Sequence, residues 1–188
     1  MSYKIPVWHA HQAIFTHRAP SSLYHWLTDQ RSLTRLLTQA SNQQFRVEVL
    51  NEGWQAPFAD EPGAGTGLAF VREVILYCSG KPTVYARTVI PRNSLTGELR
   101  GLTRLGNRPL GAVLFANPLY RRVNLEIAAI KSGTALHKQA RKHTNNPTKS
   151  ALWGRRSVFL LHQYPLLVNE IFLNDMSDLQ LPGKHKSK

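Results

Sequence analysis

Two β-rich runs, Leu68–Cys78 and Thr83–Pro91, are separated by no more than Ser79-Gly80-Lys81-Pro82. A connection that short joins antiparallel neighbours and leaves no room for the crossover that a parallel pair requires. The chain is therefore committed to a sheet with a hairpin inside it, and its other elements must be fitted around that sheet. Side chains alternate along a strand, so Arg72 shares a face with Phe70, Val74, Leu76 and Cys78. An arginine on an otherwise apolar face needs a partner or a ligand, because burying an uncompensated charge is strongly unfavourable.

Other segments carry the same period. Gln43–Asn51 alternates through Phe45, Val47 and Val49, with Arg46 and Glu48 turned the other way, and Arg122–Ile130 alternates through Val123, Leu125 and Ile127. Ser157–His162 and Leu166–Leu173 form a second hairpin that turns at Gln163-Tyr164-Pro165. On its second strand Glu170 shares a face with Leu166, Val168 and Phe172.

Helical spacing is confined to short stretches. Ser21 and Ser22 cap a helix burying Leu23, Trp26 and Leu27, and a second follows Asp29 with Leu33, Leu36 and Leu37 inward. Asn93 or Ser94 starts a third, with Leu95, Leu99 and Leu102 inward, ending near Gly106; Pro109 suits the first turn of a fourth, Leu110–Phe115. The pattern predicts an α+β fold, a six-stranded antiparallel sheet with helices on one face, in a single domain over residues 1–188.

Composition narrows the function by exclusion. A single cysteine, Cys78, permits no intramolecular disulfide and no cysteine-based zinc site. The start, MSYKIPVWHAHQ, lacks the apolar run of a signal peptide, and no segment approaches a membrane span, so a cytoplasmic protein is expected. The formal net charge of +13 points to an acidic partner. Its distribution is uneven: Lys131, Lys138, Arg141, Lys142 and Lys149, with Lys184, Lys186 and Lys188, supply eight of those charges. The polar stretch 131–150, interrupted by Asn145-Asn146-Pro147, reads as a basic inserted loop that is mobile and removable without loss of activity, and 182–188 as a basic tail. No zinc-finger or RNP-like pattern accompanies the charge, so nucleic acid is not the expected partner.

Most candidate motifs fail on context. Gly63-Ala64-Gly65-Thr66-Gly67 precedes a strand, whereas a phosphate loop needs a helix N-terminus after it. His9 and His11 face one way on a strand, with His17 nearby, but lack the further ligands of a metal site and read as surface histidines. Cys78 lies in an apolar strand and no nucleophile-elbow pattern is present. Arg72 and Glu170 remain. Either they form a structural ion pair or lie on a solvated face, or they share a closed cavity in which Arg72 binds a carboxylate and Glu170 accepts a hydrogen bond from a hydroxyl.

Around these residues the sequence resembles the chorismate pyruvate-lyase family. The resemblance is carried by Val71-Arg72-Glu73-Val74 with Leu76 and Cys78, by Ala86-Arg87-Thr88-Val89-Ile90-Pro91, and by Leu105-Gly106, Arg108-Pro109-Leu110-Gly111 and Leu114-Phe115. Leu152-Trp153-Gly154-Arg155-Arg156-Ser157 and Pro165-Leu166-Leu167-Val168-Asn169-Glu170-Ile171-Phe172-Leu173 complete it. It implies a ligand buried beneath helical flaps, with Arg72 on its carboxylate, the backbone of Leu110 beside it and Glu170 on its hydroxyl. Leu33 stands where the family usually has a methionine lining the site. Ala86 replaces a common glycine, which would tighten the pocket around Arg87. The resemblance also implies a monomeric enzyme without metal or cofactor that converts chorismate to 4-hydroxybenzoate and pyruvate for ubiquinone synthesis. Whether Glu170 acts as a base or only orients the hydroxyl is open at this level. A small-molecule sensor is the alternative of a different class, because ligand-binding domains of some transcription factors resemble this fold; the residues before Leu68 show no recognition-helix pattern.

Overall fold

The computed structural model describes residues 3–13, 18–63, 65, 67–144 and 151–182. Its strands are β1 (His9–Ala10), β2 (Phe45–Gln55), β3 (Ala69–Cys78), β4 (Lys81–Pro91), β5 (Tyr120–Arg122), β6 (Glu126–Lys131), β7 (Ala151–Leu161) and β8 (Tyr164–Phe172). They form one eight-stranded sheet in the order β1-β6-β7-β8-β4-β3-β2, with β5 paired to one end of β7. Every pairing between these strands is antiparallel.

The sheet exceeds the expected six strands for two reasons. β1 is too short to show a period, and the expected strand Arg122–Ile130 is broken into β5 and β6. The β3–β4 hairpin turns at Ser79 and Gly80, both with positive φ (48° and 76°), the conformation that favours glycine and matches the twist of the strands. β7 starts at Ala151, well ahead of the expected Ser157, because Gly154 and the two arginines after it hide its alternation.

α1 (Ser21–Thr28) and α2 (Leu33–Ala40) cover one face of the sheet. They bury Leu23, Trp26, Leu27, Leu33, Leu36 and Leu37 against Val74, Leu76, Val84 and Phe172. Each fully buried leucine contributes about 1.5–3 kcal/mol. Pro20, rather than Ser21 or Ser22, occupies the N-cap of α1, whereas Ser32 caps α2 by accepting from the Arg35 N–H at 3.4 Å. Further along the same face, α3 (Leu110–Ala116) packs Leu110 and Leu114 with Leu99 and Leu102. Those two leucines belong to a 3-10 helix, Gly97–Arg104, rather than to the longer helix expected from Asn93 or Ser94; Gly97, at φ 49°, breaks the chain between the two.

The opposite face is also covered by a helix, which corrects the one-face expectation. α4 (Ala135–Ala140) lays Leu136 and Ala140 on Ile75, Tyr85, Ala128, Ile130, Leu152 and Ile171. It lies within 131–150, so that stretch is not a loop throughout: the Thr134 hydroxyl caps the helix by accepting from the His137 N–H at 3.2 Å. Removing the whole segment would uncover this face, and the expectation that it can be deleted without loss does not stand. Leu136 and Ala140 are one turn apart, too few apolar positions to register as a stripe in the sequence. Residues 145–150 and 183–188, together with His17, Ala64 and Thr66, lie outside the described residues. Among the described residues, no helix is long and apolar enough to cross a membrane.

Candidate active site

Strand register builds the floor of a cavity on the α1–α3 face. Arg72 on β3 stands opposite Thr88 on β4, Thr88 opposite Val168 on β8, and Val168 opposite Ser157 on β7. A second row on the same face runs Val74, Ala86, Glu170, Arg155. Leu33 and Thr34 from the start of α2, and Leu110 and Gly111 from the start of α3, close over this floor. Leu33, Arg72, Leu110 and Glu170 are thus gathered around one space.

Arg87 is not among them. It alternates to the far face of β4, where its Nε and Nη2 donate to the two oxygens of Glu61 at 2.9 and 3.0 Å and its Nη1 donates to Glu73 at 3.0 Å. Asn169 also donates to Glu61, the Tyr85 hydroxyl donates to Glu73, and the guanidinium stacks 3.8 Å from the centre of the Phe58 ring. Burial, reinforced by the neighbouring Glu73 charge, pushes the Tyr85 hydroxyl far above its ordinary value. Arg87 therefore lies outside the cavity, and it is Ala86, on the opposite side of the strand, that lines it.

Arg72 and Glu170 do not pair with each other. Arg72 Nε donates to Glu52 at 3.1 Å, and Nη2 donates to the carbonyls of Gly106 and Arg108 at 2.7 and 3.3 Å. The guanidinium thereby tethers the segment that leads into α3. Burial pulls its pKa down and the Glu52 charge opposes that pull. Glu170 instead accepts from Arg155 Nε at 2.6 Å. Arg155 Nη1 donates to the carbonyls of Trp26 and Asp29 at 2.9 and 2.7 Å, at the end of α1 where carbonyls run out of intrahelical donors. One arginine fixes α3 to the floor, and the other fixes both α1 and the Glu170 carboxylate.

Three polar residues of the site escaped the sequence reading. Arg155 had its signal in the alternation Trp153, Arg155, Ser157, which places it on the floor once the strand is recognised. Glu52 and Arg122 had none, because a bulge in each strand reverses the alternation. β2 shifts register between Val49 and Asn51, which turns Glu52 to the side of Arg72. Arg122 opposes Phe159 while Glu126 opposes Arg156, so one extra residue between β5 and β6 turns Arg122 into the cavity. Two of the other candidates lie outside the cavity: burial raises the pKa of the Cys78 thiol, and His11 contacts the Leu125 carbonyl at 3.2 Å and the Gln30 amide at 3.1 Å.

The family model described as chorismate lyase matches residues 6–179, a span that includes every residue of this cavity. The chain belongs to the chorismate lyase family. A protein of Thiobacillus denitrificans named "Probable chorismate pyruvate-lyase" is 44% identical over 161 residues, covering 83% of this chain and 84% of its own length. One of the same name from Nitrosomonas europaea is 40% identical over 159 residues, covering 82% and 88%. Among solved structures, a GntR-family transcriptional regulator from Bacillus cereus gives a TM-score of 0.50 at 11% identity, over 77% of this chain and 98% of that one. PhnF from Mycobacterium smegmatis also gives 0.50, at 13% identity over 80% and 68%. At such identities the likeness shows the fold alone. For this chorismate lyase family member, chemistry must be argued from the cavity itself.

Proposed function

We infer that the chain is a chorismate pyruvate-lyase, a cofactor-independent enzyme that eliminates pyruvate from chorismate and leaves 4-hydroxybenzoate. The observation that carries the reading is the enclosure of the Arg72 guanidinium and the Glu170 carboxylate within one largely apolar cavity. The relatives' name supports it, and supply of 4-hydroxybenzoate to ubiquinone synthesis by a monomeric cytoplasmic enzyme belongs to the same reading.

The reaction breaks the bond between ring carbon 3 and the enolpyruvyl oxygen and removes hydrogen from carbon 4. The ring becomes aromatic, so the step is strongly downhill. The atoms of chorismate divide without remainder between the two products, and neither an electron acceptor nor water is consumed. What the protein must supply is placement and charge complementarity. In the proposed complex, Arg72 Nη1, which its other contacts leave for a ligand, meets the ring carboxylate. The Leu110 N–H, the first donor of α3 because Pro109 has none, meets the same group. Glu170, positioned by Arg155, accepts the hydrogen bond of the ring hydroxyl. The hydrogen on carbon 4 passes either to Glu170 or directly to the methylene carbon of the departing enolpyruvyl group, and both routes require the same placement.

Purified protein mixed with chorismate should release pyruvate and 4-hydroxybenzoate in equal amounts; release no faster than the spontaneous background would sink the reading. A second expectation concerns the cavity roof. A Cβ on Gly111 would lie 2.7 Å from Thr34 Oγ1 and 3.4 Å from Ser32 Oγ, so the glycine sets how closely α3 approaches α2. Gly111→Ala should lower kcat/KM by about tenfold or more through misplacement of the roof. Unchanged kinetics would show that the two helices separate at no cost to the site.

A further inference from the structure

Arg122 lines the cavity yet has no task in the chemistry above. The residue is half-buried, and its guanidinium carbon lies 4.9 and 5.1 Å from the centres of the Phe115 and Phe159 rings. Nη1 donates to the Gln30 carbonyl at 2.7 Å, whereas Nε is closed off from solvent and has no hydrogen-bond partner. Glu170 and Asp29 act on Arg122 through charge alone, and burial followed by the nearby Arg155 charge pushes its pKa down to about 10. A cation held there is short of negative charge. Ser157 Oγ, which also lines the cavity, shares the condition, and so does Nη2 of Arg155 behind Glu170: both are buried without partners. Buried polar groups in folded proteins are rarely left so, and Arg122 and Ser157, side by side in the lining of one cavity, mark the place of a polar ligand group.

The position of the pair is informative. Ser157 ends the row that Arg72 begins, three strand spacings away, or about 14 Å between backbones. The two arginines reach into the cavity from its two sides with Glu170 between them. A ligand with one carboxylate satisfies one side, whereas a dicarboxylate satisfies both.

We propose that Arg122, assisted by the Ser157 hydroxyl, binds the second carboxylate of the substrate, the one on the enolpyruvyl arm, and so makes the cavity selective for dicarboxylates. The assignment rests on the lyase reading for the identity of that arm. It has a consequence for turnover: the second carboxylate departs with pyruvate, so Arg122 holds the substrate but not the aromatic product, which keeps only the Arg72 contact.

The test compares 3-(carboxymethoxy)-4-hydroxybenzoate with the methyl ester of its side arm, by equilibrium binding to the full-length protein. The diacid should bind at least about tenfold tighter than the ester to the unsubstituted protein, the scale of one charge-assisted contact. In Arg122→Met that ratio should fall to about one, affinity for 4-hydroxybenzoate should stay within about twofold, and kcat/KM for chorismate should drop about 100-fold. Arg122→Lys should recover part of the selectivity. Equal binding of acid and ester by the unsubstituted protein overturns the proposal even if neither variant folds. A parallel loss of 4-hydroxybenzoate binding in Arg122→Met overturns it in favour of a structural prop. Failure of the lyase reading would instead appear as absent turnover of chorismate, which leaves the acid–ester comparison readable.

Discussion

Arg72→Ala is expected to lower kcat/KM for chorismate by about 100- to 1,000-fold, the scale seen when one partner of a buried, hydrogen-bonded charge pair is truncated. Two losses combine in this variant. The ligand carboxylate loses its cation, and the carbonyls of Gly106 and Arg108 lose the donor that holds the segment ahead of α3. Because that segment carries Leu110 into the roof, the second loss loosens the Leu110 N–H as well. Arg72→Lys separates the two contributions. An ammonium retains the charge but not the planar fork that reaches Glu52, two carbonyls and a ligand together, so recovery should be partial. Steady-state kinetics and a thermal unfolding midpoint, measured on both variants, provide the check. Near-normal turnover in a folded Arg72→Ala protein would show that the carboxylate is bound elsewhere.

The limits of the sequence reading lie in parity. Arg72 and Glu170 sit on strands whose alternation is unbroken from end to end, so their neighbours in sequence identify the face they occupy, and both face the cavity as that pattern requires. Leu33 and Leu110 start helices whose apolar residues are regularly spaced. Glu52 and Arg122 each follow or precede a one-residue bulge, and one residue is enough to send a side chain to the other face. Bulges are set by pairing with a strand distant in sequence, so nothing local marks them. In Arg122–Ile130 the apparent alternation was itself misleading: it placed Val123 inward, whereas Val123 is 44% exposed and Arg122 turns inward. Arg87 failed for the complementary reason. Its alternation with Ala86 was plain, but a resemblance located in a continuous block does not say which of two adjacent residues faces the ligand.

That placement makes Arg87→Met the most damaging substitution away from the cavity, with an expected loss of about 3–5 kcal/mol in folding stability. Glu61 and Glu73 are 4% and 9% exposed, and Arg87 provides the cationic partner of each among the described ion pairs. Methionine fills much of the vacated space and still packs on Phe58, so lost volume accounts for little of the effect. The main cost is two carboxylates stranded out of water, with the Tyr85 hydroxyl, the Asn169 amide and the Phe58 backbone N–H as remaining donors. Against a typical domain stability of about 5–15 kcal/mol, a loss of this size leaves a marginal protein. Adding Glu61→Gln should restore part of the stability by removing one of the stranded charges, a recovery that a purely steric effect would not show. Urea denaturation of the two variants measures both quantities. Chorismate turnover by the folded fraction, assayed well below the unfolding midpoint, should remain within about threefold of normal, because the guanidinium lies on the far side of β4 from the reacting atoms. A much larger drop in turnover, with stability intact, would return Arg87 to the substrate pocket.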